Sequence, residues 1–305
     1  MDKITPKIAI LLAAFNGQKY LVEQIDSILN QEDVNVKIYV RLDPSSDNSA
    51  ELIDEFIKSN CNVKLLTPAH SSGSAGQNFL NLLRDVDFSA YDFVAFSDQD
   101  DIWFKEKLIR AVNCINSNKT DAYSGNVLAW WDSGRKKLVD KAGLQRKFDY
   151  LFESSGPGCT FVFTKKLALD FKQTLVLLGS NIEKIWLHDW FCYAFARSRG
   201  YKWFIDPKPM MLYRQHGNNV VGANSGFAAF SLRMNEVLTG KAFERVTSQA
   251  IIIGEQDKEP IRLIRNNSII SSFKLALKAN HCRRKRSDQL LFIFAMLLSV
   301  FKGKK

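Results

Sequence analysis

Cysteine and histidine are scarce in this chain and scattered where they occur. Its 305 residues hold five cysteines, at positions 61, 114, 159, 192 and 282, and four histidines, with no CxxC pair and no Cys/His cluster. That removes zinc sites and disulfide frameworks and fits a reducing, cytoplasmic setting. The start, Met1-Asp2-Lys3-Ile4-Thr5-Pro6-Lys7, lacks the basic segment, apolar core and cleavage site of a secretory signal, so the protein is expected inside the cell. No internal repeat is present. The apolar stretch at residues 290–301 would span about 18 Å as a helix, short of the roughly 30 Å hydrocarbon core. No nucleic-acid-binding motif accompanies the basic residues, so no nucleic-acid partner is expected.

What the chain does have is an excess of positive charge, formally +10, gathered toward one end. His281-Cys282-Arg283-Arg284-Lys285-Arg286 precedes the apolar stretch, and Lys302, Lys304 and Lys305 follow it. An apolar segment flanked by cations reads as an interfacial anchor on an anionic membrane surface, or as a C-terminal helix packed on protein.

The first hundred residues alternate between short apolar runs and helical periodicity. Ile8-Ala9-Ile10-Leu11-Leu12-Ala13-Ala14 reads as a buried strand, and Tyr20, Leu21, Ile25, Ile28 and Leu29 recur at helical spacing. Val36 to Val40 resumes a strand, Ser45 to Ser49 opens a helix through Ile57, and Val63 to Leu66 is a strand again. This alternation predicts an α/β fold with a mostly parallel central sheet flanked by helices. In such sheets ligands sit beyond the carboxyl ends of the strands. Those ends carry Asn16-Gly17, Asp43 and, after Phe93-Val94-Ala95-Phe96-Ser97, the acids of Asp98-Gln99-Asp100-Asp101. Crowded carboxylates call for a cation, and Mg2+ or Mn2+ shared with substrate phosphates suits an oxygen-rich cluster. A bare acidic loop is the plainer alternative, and Asp101 also suits the cap of a helix beginning near Ile102.

Five ordered blocks carry a resemblance to a known family: Leu11-Leu12-Ala13-Ala14-Phe15-Asn16-Gly17, Gln24-Ile25-Asp26-Ser27-Ile28-Leu29-Asn30-Gln31, Ser97-Asp98-Gln99-Asp100-Asp101-Ile102-Trp103, His188-Asp189-Trp190 and Tyr213-Arg214-Gln215-His216-Gly217-Asn218-Asn219. From about Lys7 to Gly222 the chain resembles the family-two glycosyltransferases of GT-A fold, in their bacterial rhamnosyltransferase-like branch. The resemblance implies a GT-A catalytic domain over residues 1–222 and a helical, basic and apolar region over 223–305.

By the same resemblance Asp100 is the metal-binding acid, with His216 completing the metal shell or touching the diphosphate. Asp98 lies nearer the ribose, with Ala14, Asn16, Gly17, Asp43, Asn78 and Gln99 also on the nucleotide sugar. Asp43 matches the acid that reads the nucleobase, although a pair of acids followed by glycine is usual and Leu42-Asp43-Pro44 stands here. The loop His70 to Phe79 has Ser74 where relatives often have glycine, which leaves phosphate cradling and a plain surface loop both open. Asp189 matches the general base, and its apolar neighbours should raise its pKa. Gly158, Cys159, Trp130 and His188 fall where an acceptor sugar would sit, with core packing open for Cys159, Trp130 and His188.

The implied activity is inverting, metal-dependent transfer of L-rhamnose from dTDP-L-rhamnose to a lipid-linked cell-surface polysaccharide precursor, by a peripheral enzyme on the inner membrane face. A UDP-hexose-dependent transferase and a non-catalytic nucleotide-sugar-binding subunit are the alternatives, and a homo-oligomer is left open.

Overall fold

The computed structural model describes residues 5–68, 70–216 and 227–299. Gly217 to Asn219 of the last block, the boundary at Gly222 and the lysines after Val300 lie outside the described residues.

The first half runs β1 (Lys7–Ala14), α1 (Leu21–Leu29), β2 (Asn35–Leu42), α2 (Ser49–Ser59), β3 (Val63–Leu66), α3 (Ala75–Asp85), β4 (Phe93–Ser97), β5 (Ile102–Trp103) and α4 (Lys107–Asn118). Then come β6 (Ala122–Gly125), β7 (Val127–Trp131), β8 (Lys136–Val139), β9 (Val162–Thr164), α5 (Lys165–Leu178), α6 (His188–Ser198), β10 (Trp203–Asp206) and β11 (Met211–Gln215). The remainder is helical: α7 (Phe227–Leu238), α8 (Lys241–Ile252), α9 (Glu259–Asn266), α10 (Ile269–Ala276), α11 (Ala279–Cys282) and α12 (Arg286–Ser299).

Seven strands form the main sheet in the order β10-β6-β9-β4-β1-β2-β3, with β1 parallel to both β2 and β4. Only β9 runs against its neighbours, β4 and β6. β1 is buried on both faces, which is why its sequence is an unbroken apolar run. Ala9, Leu11 and Ala13 face a core with Phe79, Leu83 and Phe191. Ile8, Ile10 and Leu12 face a second core with Leu21, Ile25 and Ile28 of α1.

A second, four-stranded sheet, β5-β11-β7-β8, holds the end of the acidic motif. Here the structure corrects the expected helix near Ile102. Ile102 and Trp103 pair antiparallel with Leu212 and Met211, and the helix waits until Lys107. Pairing with a strand a hundred residues away outweighs the local preference of Asp101 for a cap.

Of the two readings of the basic segment, the helix packed on protein is the one seen. Arg284 is 5% exposed and Cys282 is buried. Arg284 pairs with Asp149 at 3.2 Å and Glu153 at 3.4 Å, and Lys285 pairs with Asp140. These cations fasten the C-terminal helices to the α/β portion and are not a free anion-binding face. Phe292, Ala295 and Met296 of α12 join the same core as Phe171 and Leu175 of α5. Among the described residues, no helix is long and apolar enough to cross a membrane.

Candidate active site

The crevice forms where β1, β2 and β4 end, and its loops are laced together by side chains. Asn16 sits at a φ of 44°, a left-handed conformation that asparagine tolerates. Its Oδ1 accepts from Ser46 N at 2.9 Å, while Gly17 N donates to Ser49 Oγ at 2.8 Å. Gln99 grips the backbone of Phe15 twice: its Oε1 accepts from Phe15 N at 2.8 Å and its Nε2 donates to Phe15 O at 2.9 Å. A Cβ on Gly17 would stand 2.4 Å from Gln99 Oε1, so this glycine is a close approach as well as a turn. Ala14 O accepts from Asp43 N at 2.9 Å, fixing the β1 and β2 ends to one another.

Asp43 is buried and accepts from Ser72 N at 2.9 Å and Ser72 Oγ at 2.8 Å. The serine-rich loop is thereby tied to the β2 end, a partner that the sequence did not reveal. Ser74 accepts from Gln77 N as the cap of α3, which is why a serine serves at this position. Asn78 is buried and donates to Arg41 O at 3.1 Å, so its amide holds the β2 end from beneath, and its Oδ1 is buried without a described partner.

The acidic motif divides by depth. Asp101 is 1% exposed; its Oδ1 accepts from Arg214 N at 3.0 Å, and its own N–H donates to Gln24 Oε1 at 2.9 Å. Asp100 faces the crevice, its Oδ2 2.7 Å from His216 Nε2, while its carbonyl accepts from Arg214 Nε at 2.8 Å. The Arg214 guanidinium lies between the rings of Tyr20 and Trp130, 4.4 and 4.5 Å from their centroids, and His216 stacks on Tyr20 at 5.4 Å. Trp130 is therefore a wall of the site with a cation on its ring. Arg214 and Gln24, which lie inside two of the motif blocks, position the acids; only the folded chain shows that role.

Burial and the adjacent Asp100 charge push Asp98 up to about 7, and Asp189 adds to the push. Asp101 is driven well above the usual carboxylate range by burial and by the charges of Asp100 and Asp98. Acids that raise one another in this way mark a place that gains from a cation. Two donor sets are available. Asp98, Asp101 and Cys159 bring their ligand atoms within 4.8 Å of one another, but Cys159 is 0% exposed and burial holds its thiol well above its ordinary pKa. A protonated thiol is a poor ligand for a hard ion. The carboxylate of Asp100 suits Mg2+ or Mn2+, and the imidazole of His216 as a second donor favours Mn2+ of the two.

On the far wall, Asp189 occupies the first turn of α6, and burial pushes its carboxyl up to about 6. Its Oδ1 accepts from Trp190 N at 2.6 Å. His188 beside it is pushed down to about 3 by burial, which keeps the ring neutral. That ring stacks on Phe79 at 4.3 Å, and both its nitrogens are buried without a described partner. Gly158 makes room for it: an added Cβ would lie 2.2 Å from His188 Nε2. Gly158 and His188 therefore meet, while Cys159 lies beneath the acids.

The sequence profile of glycosyl transferase family 2 matches residues 9–168, more than half the chain. The chain belongs to glycosyltransferase family 2. This family-2 glycosyltransferase is 41% identical over 291 residues to the dTDP-rhamnosyl transferase RfbG of Shigella flexneri, covering 95% of this chain and 100% of that one. It is 24% identical over 260 residues to WfgD of Escherichia coli, a UDP-Glc:alpha-D-GlcNAc-diphosphoundecaprenol beta-1,3-glucosyltransferase, covering 84% and 89%. Among solved structures, S. aureus TarS 1-349 with UDP-GlcNAc superposes with a TM-score of 0.53 at 14% identity, covering 97% of this chain and 90% of that one. The mannosyltransferase PcManGT of Pyrobaculum calidifontis, with GDP-Man and Mn2+, gives 0.53 at 12% identity, covering 99% and 89%. The expected GT-A fold is thus present.

Proposed function

We propose that this glycosyltransferase transfers L-rhamnose, with inversion, from dTDP-L-rhamnose to a hydroxyl of a lipid-linked cell-surface glycan. The observation that carries the site chemistry is that Gly158 meets His188, the neighbour of Asp189, while the adjacent Cys159 lies with Asp98 and Asp101 in one group of side chains. A proton acceptor and the acids that hold the donor's diphosphate therefore border one space. The donor assignment is supported by full-length similarity to a dTDP-rhamnosyl transferase, and the acceptor class by a relative that acts on a diphosphoundecaprenol-linked sugar.

In this reading Asp43 and the Ser72 loop receive the nucleobase, and the Asn16-Gly17 turn lies against the diphosphate. Asp100 and His216 hold a divalent cation, which when bound neutralises charge growing on the departing diphosphate. Asp189, ionised above about 6, takes the proton from the acceptor hydroxyl as that oxygen bonds to the anomeric carbon. The bond from that carbon to the diphosphate breaks on the opposite face, and dTDP leaves. Asp101, held by Arg214 and Gln24, keeps Asp100 in place without touching substrate.

Residues 1–222 would form the catalytic portion and 223–305 a helical extension that meets the inner leaflet. That attachment is supported by an apolar outer side on α10, where Ile269, Ile270 and Phe273 are more than half exposed and Leu277, just past its end, is 85% exposed. Lys274 borders them, and the chain carries +10 overall.

The test is calorimetric titration with dTDP-L-rhamnose, UDP-glucose and UDP-N-acetylglucosamine, each with Mn2+ and with chelator. Metal-dependent binding of the thymidine sugar alone is expected. Preference for a uridine sugar would overturn the rhamnose assignment.

A further inference from the structure

The segment running from β8 toward Asp149 concentrates positive charge that the crevice does not use. Arg135, Lys136, Lys137, Lys141, Arg146 and Lys147 lie between residues 135 and 147, where Asp140 is the single acid. That acid is already engaged: Lys285 pairs with it, and its Oδ1 accepts from Asn126 Nδ2 at 2.9 Å. The ammonium groups of Lys141 and Lys147 have no hydrogen bond or ion pair among the described residues, and that of Lys147 lies 5.1 Å from the centroid of the Phe148 ring. Leu138 is 48% exposed and Leu144 78% exposed. Cations interleaved with exposed leucines suit a boundary between anionic groups and hydrocarbon.

This loop is fixed against the wall that carries the base. The N–H groups of Lys141 and Ala142 both donate to Asn126 Oδ1, at 2.6 and 3.0 Å. Arg197 donates to Gln145 Oε1 at 2.7 Å and to Arg146 O at 3.2 Å, which ties the loop to α6, the helix of Asp189. A Cβ on Gly156 would lie 3.9 Å from Lys141 Cβ, and a Cβ on Gly158 would lie 2.2 Å from His188 Nε2. Lys141 and His188 therefore flank one short turn, and Asp189 follows His188 directly. Burial raises the Asp189 carboxyl, and the Lys141 charge opposes that rise. At the other end of the loop Phe148 N donates to His281 O at 2.8 Å, four residues past the exposed Leu277.

We propose that this loop holds the phosphate that joins the acceptor glycan to its lipid, with Lys141, Arg146 and Lys147 as its cations and Leu144 against the hydrocarbon. A lipid-linked glycan offers sugar, then phosphate, then hydrocarbon. Along this wall the base, an ammonium without an ion-pair partner and an exposed leucine follow in the same order. Headgroups of the leaflet share the phosphate chemistry, but the ties to α6 and to the Gly156 turn favour the acceptor's own phosphate. The proposal rests on the glycosyl-transfer reading above and adds where the charged part of the acceptor lies.

The test takes the full chain in neutral detergent micelles, where no anionic leaflet is present, with labelled dTDP-L-rhamnose. Two acceptors are compared: the lipid-linked glycan extracted from the cells that make the protein, and the same glycan freed from its lipid phosphate by mild acid. The double variant Lys141→Gln/Lys147→Gln is expected to raise the half-saturating concentration of the lipid-linked acceptor about tenfold, with arginine at both positions recovering most of the loss. Donor KM should stay within about twofold, and kcat/KM for the freed glycan should not fall in step with the loss. If the double variant does not fold by circular dichroism, Lys147→Gln, which is more remote from the Gly156 turn, decides. An unchanged KM for the lipid-linked acceptor, or an equal loss with the freed glycan, overturns the assignment. So does loss of co-sedimentation with phosphatidylglycerol vesicles while the micellar KM stays unchanged, which would make the loop a headgroup surface instead. Failure of the unaltered enzyme to transfer from the labelled donor or from labelled UDP-hexoses would defeat the transfer reading itself, and the phosphate site with it.

Discussion

Nε2 of His216 stands 2.7 Å from Oδ2 of Asp100, although 116 residues separate them in sequence. β11 brings the pair together: it joins β5 just past the acidic motif, and Arg214 on that strand holds both Asp100 and Asp101. If the two side chains share a cation, Asp100→Asn and His216→Ala should each weaken Mn2+-dependent binding of dTDP-L-rhamnose, by about 10–100-fold. Calorimetry measures this directly, and equal binding with and without chelator in the unaltered protein would sink the idea.

Asp189→Asn should lower the transfer rate by about 10²–10⁴-fold while leaving donor affinity intact. In the unaltered enzyme the rate should rise with pH through about 6, because burial raises this carboxyl and only its ionised form accepts a proton. The same shift has a stability sign. Keeping Asp189 charged costs the folded state above that pH, so Asp189→Asn should melt higher at pH 7.5 than the parent, and less so at acid pH. A rate profile flat across pH 5–7, or full activity in the variant, would remove Asp189 as the base.

Gly17→Ala should weaken donor binding, because its methyl would displace the Gln99 amide from Phe15. Losing that clamp costs about 1–3 kcal/mol. Gln99→Ala has already given up the clamp, so adding Gly17→Ala to it should do little further harm. Strictly additive losses in the double-variant cycle would contradict this coupling.

Arg284→Met leaves Asp149 and Glu153 short of a buried cation and should destabilise the fold by about 3–5 kcal/mol in urea titration. Because Arg284 joins the helical region to the α/β portion, the loss should appear in both. A change below about 1 kcal/mol would show the pair to be dispensable.

Glutamates in place of Phe273 and Leu277 should reduce co-sedimentation with phosphatidylglycerol vesicles about tenfold or more, since each apolar side chain contributes roughly 1.5–3 kcal/mol when buried. Undiminished sedimentation of a folded double variant would exclude α10 as the lipid-facing surface.

The β-α alternation was legible because the central strands β1 and β4 are buried on both faces and so spell apolar runs, between segments of helical periodicity. The ends of those strands then located Asn16, Asp43 and Asp98 to Asp101 without any three-dimensional information. The Asp101 cap was misread because the decisive partners, Leu212 and Met211, lie far along the chain. The basic block left two readings open for a related reason. Charge is visible in sequence, but Asp149 and Glu153, which neutralise it, are not adjacent to it.

Local order along the chain thus determined the fold class and the acidic motif, since each depends on spacing within a few residues, while the candidate base came from the resemblance to the family. Contacts between distant segments decided the rest: which acid faces His216, why Gly17 must lack a side chain, and that Lys141 borders the turn at Gly156. Packing sets those relationships, and packing brings together residues whose separation in sequence carries no signal.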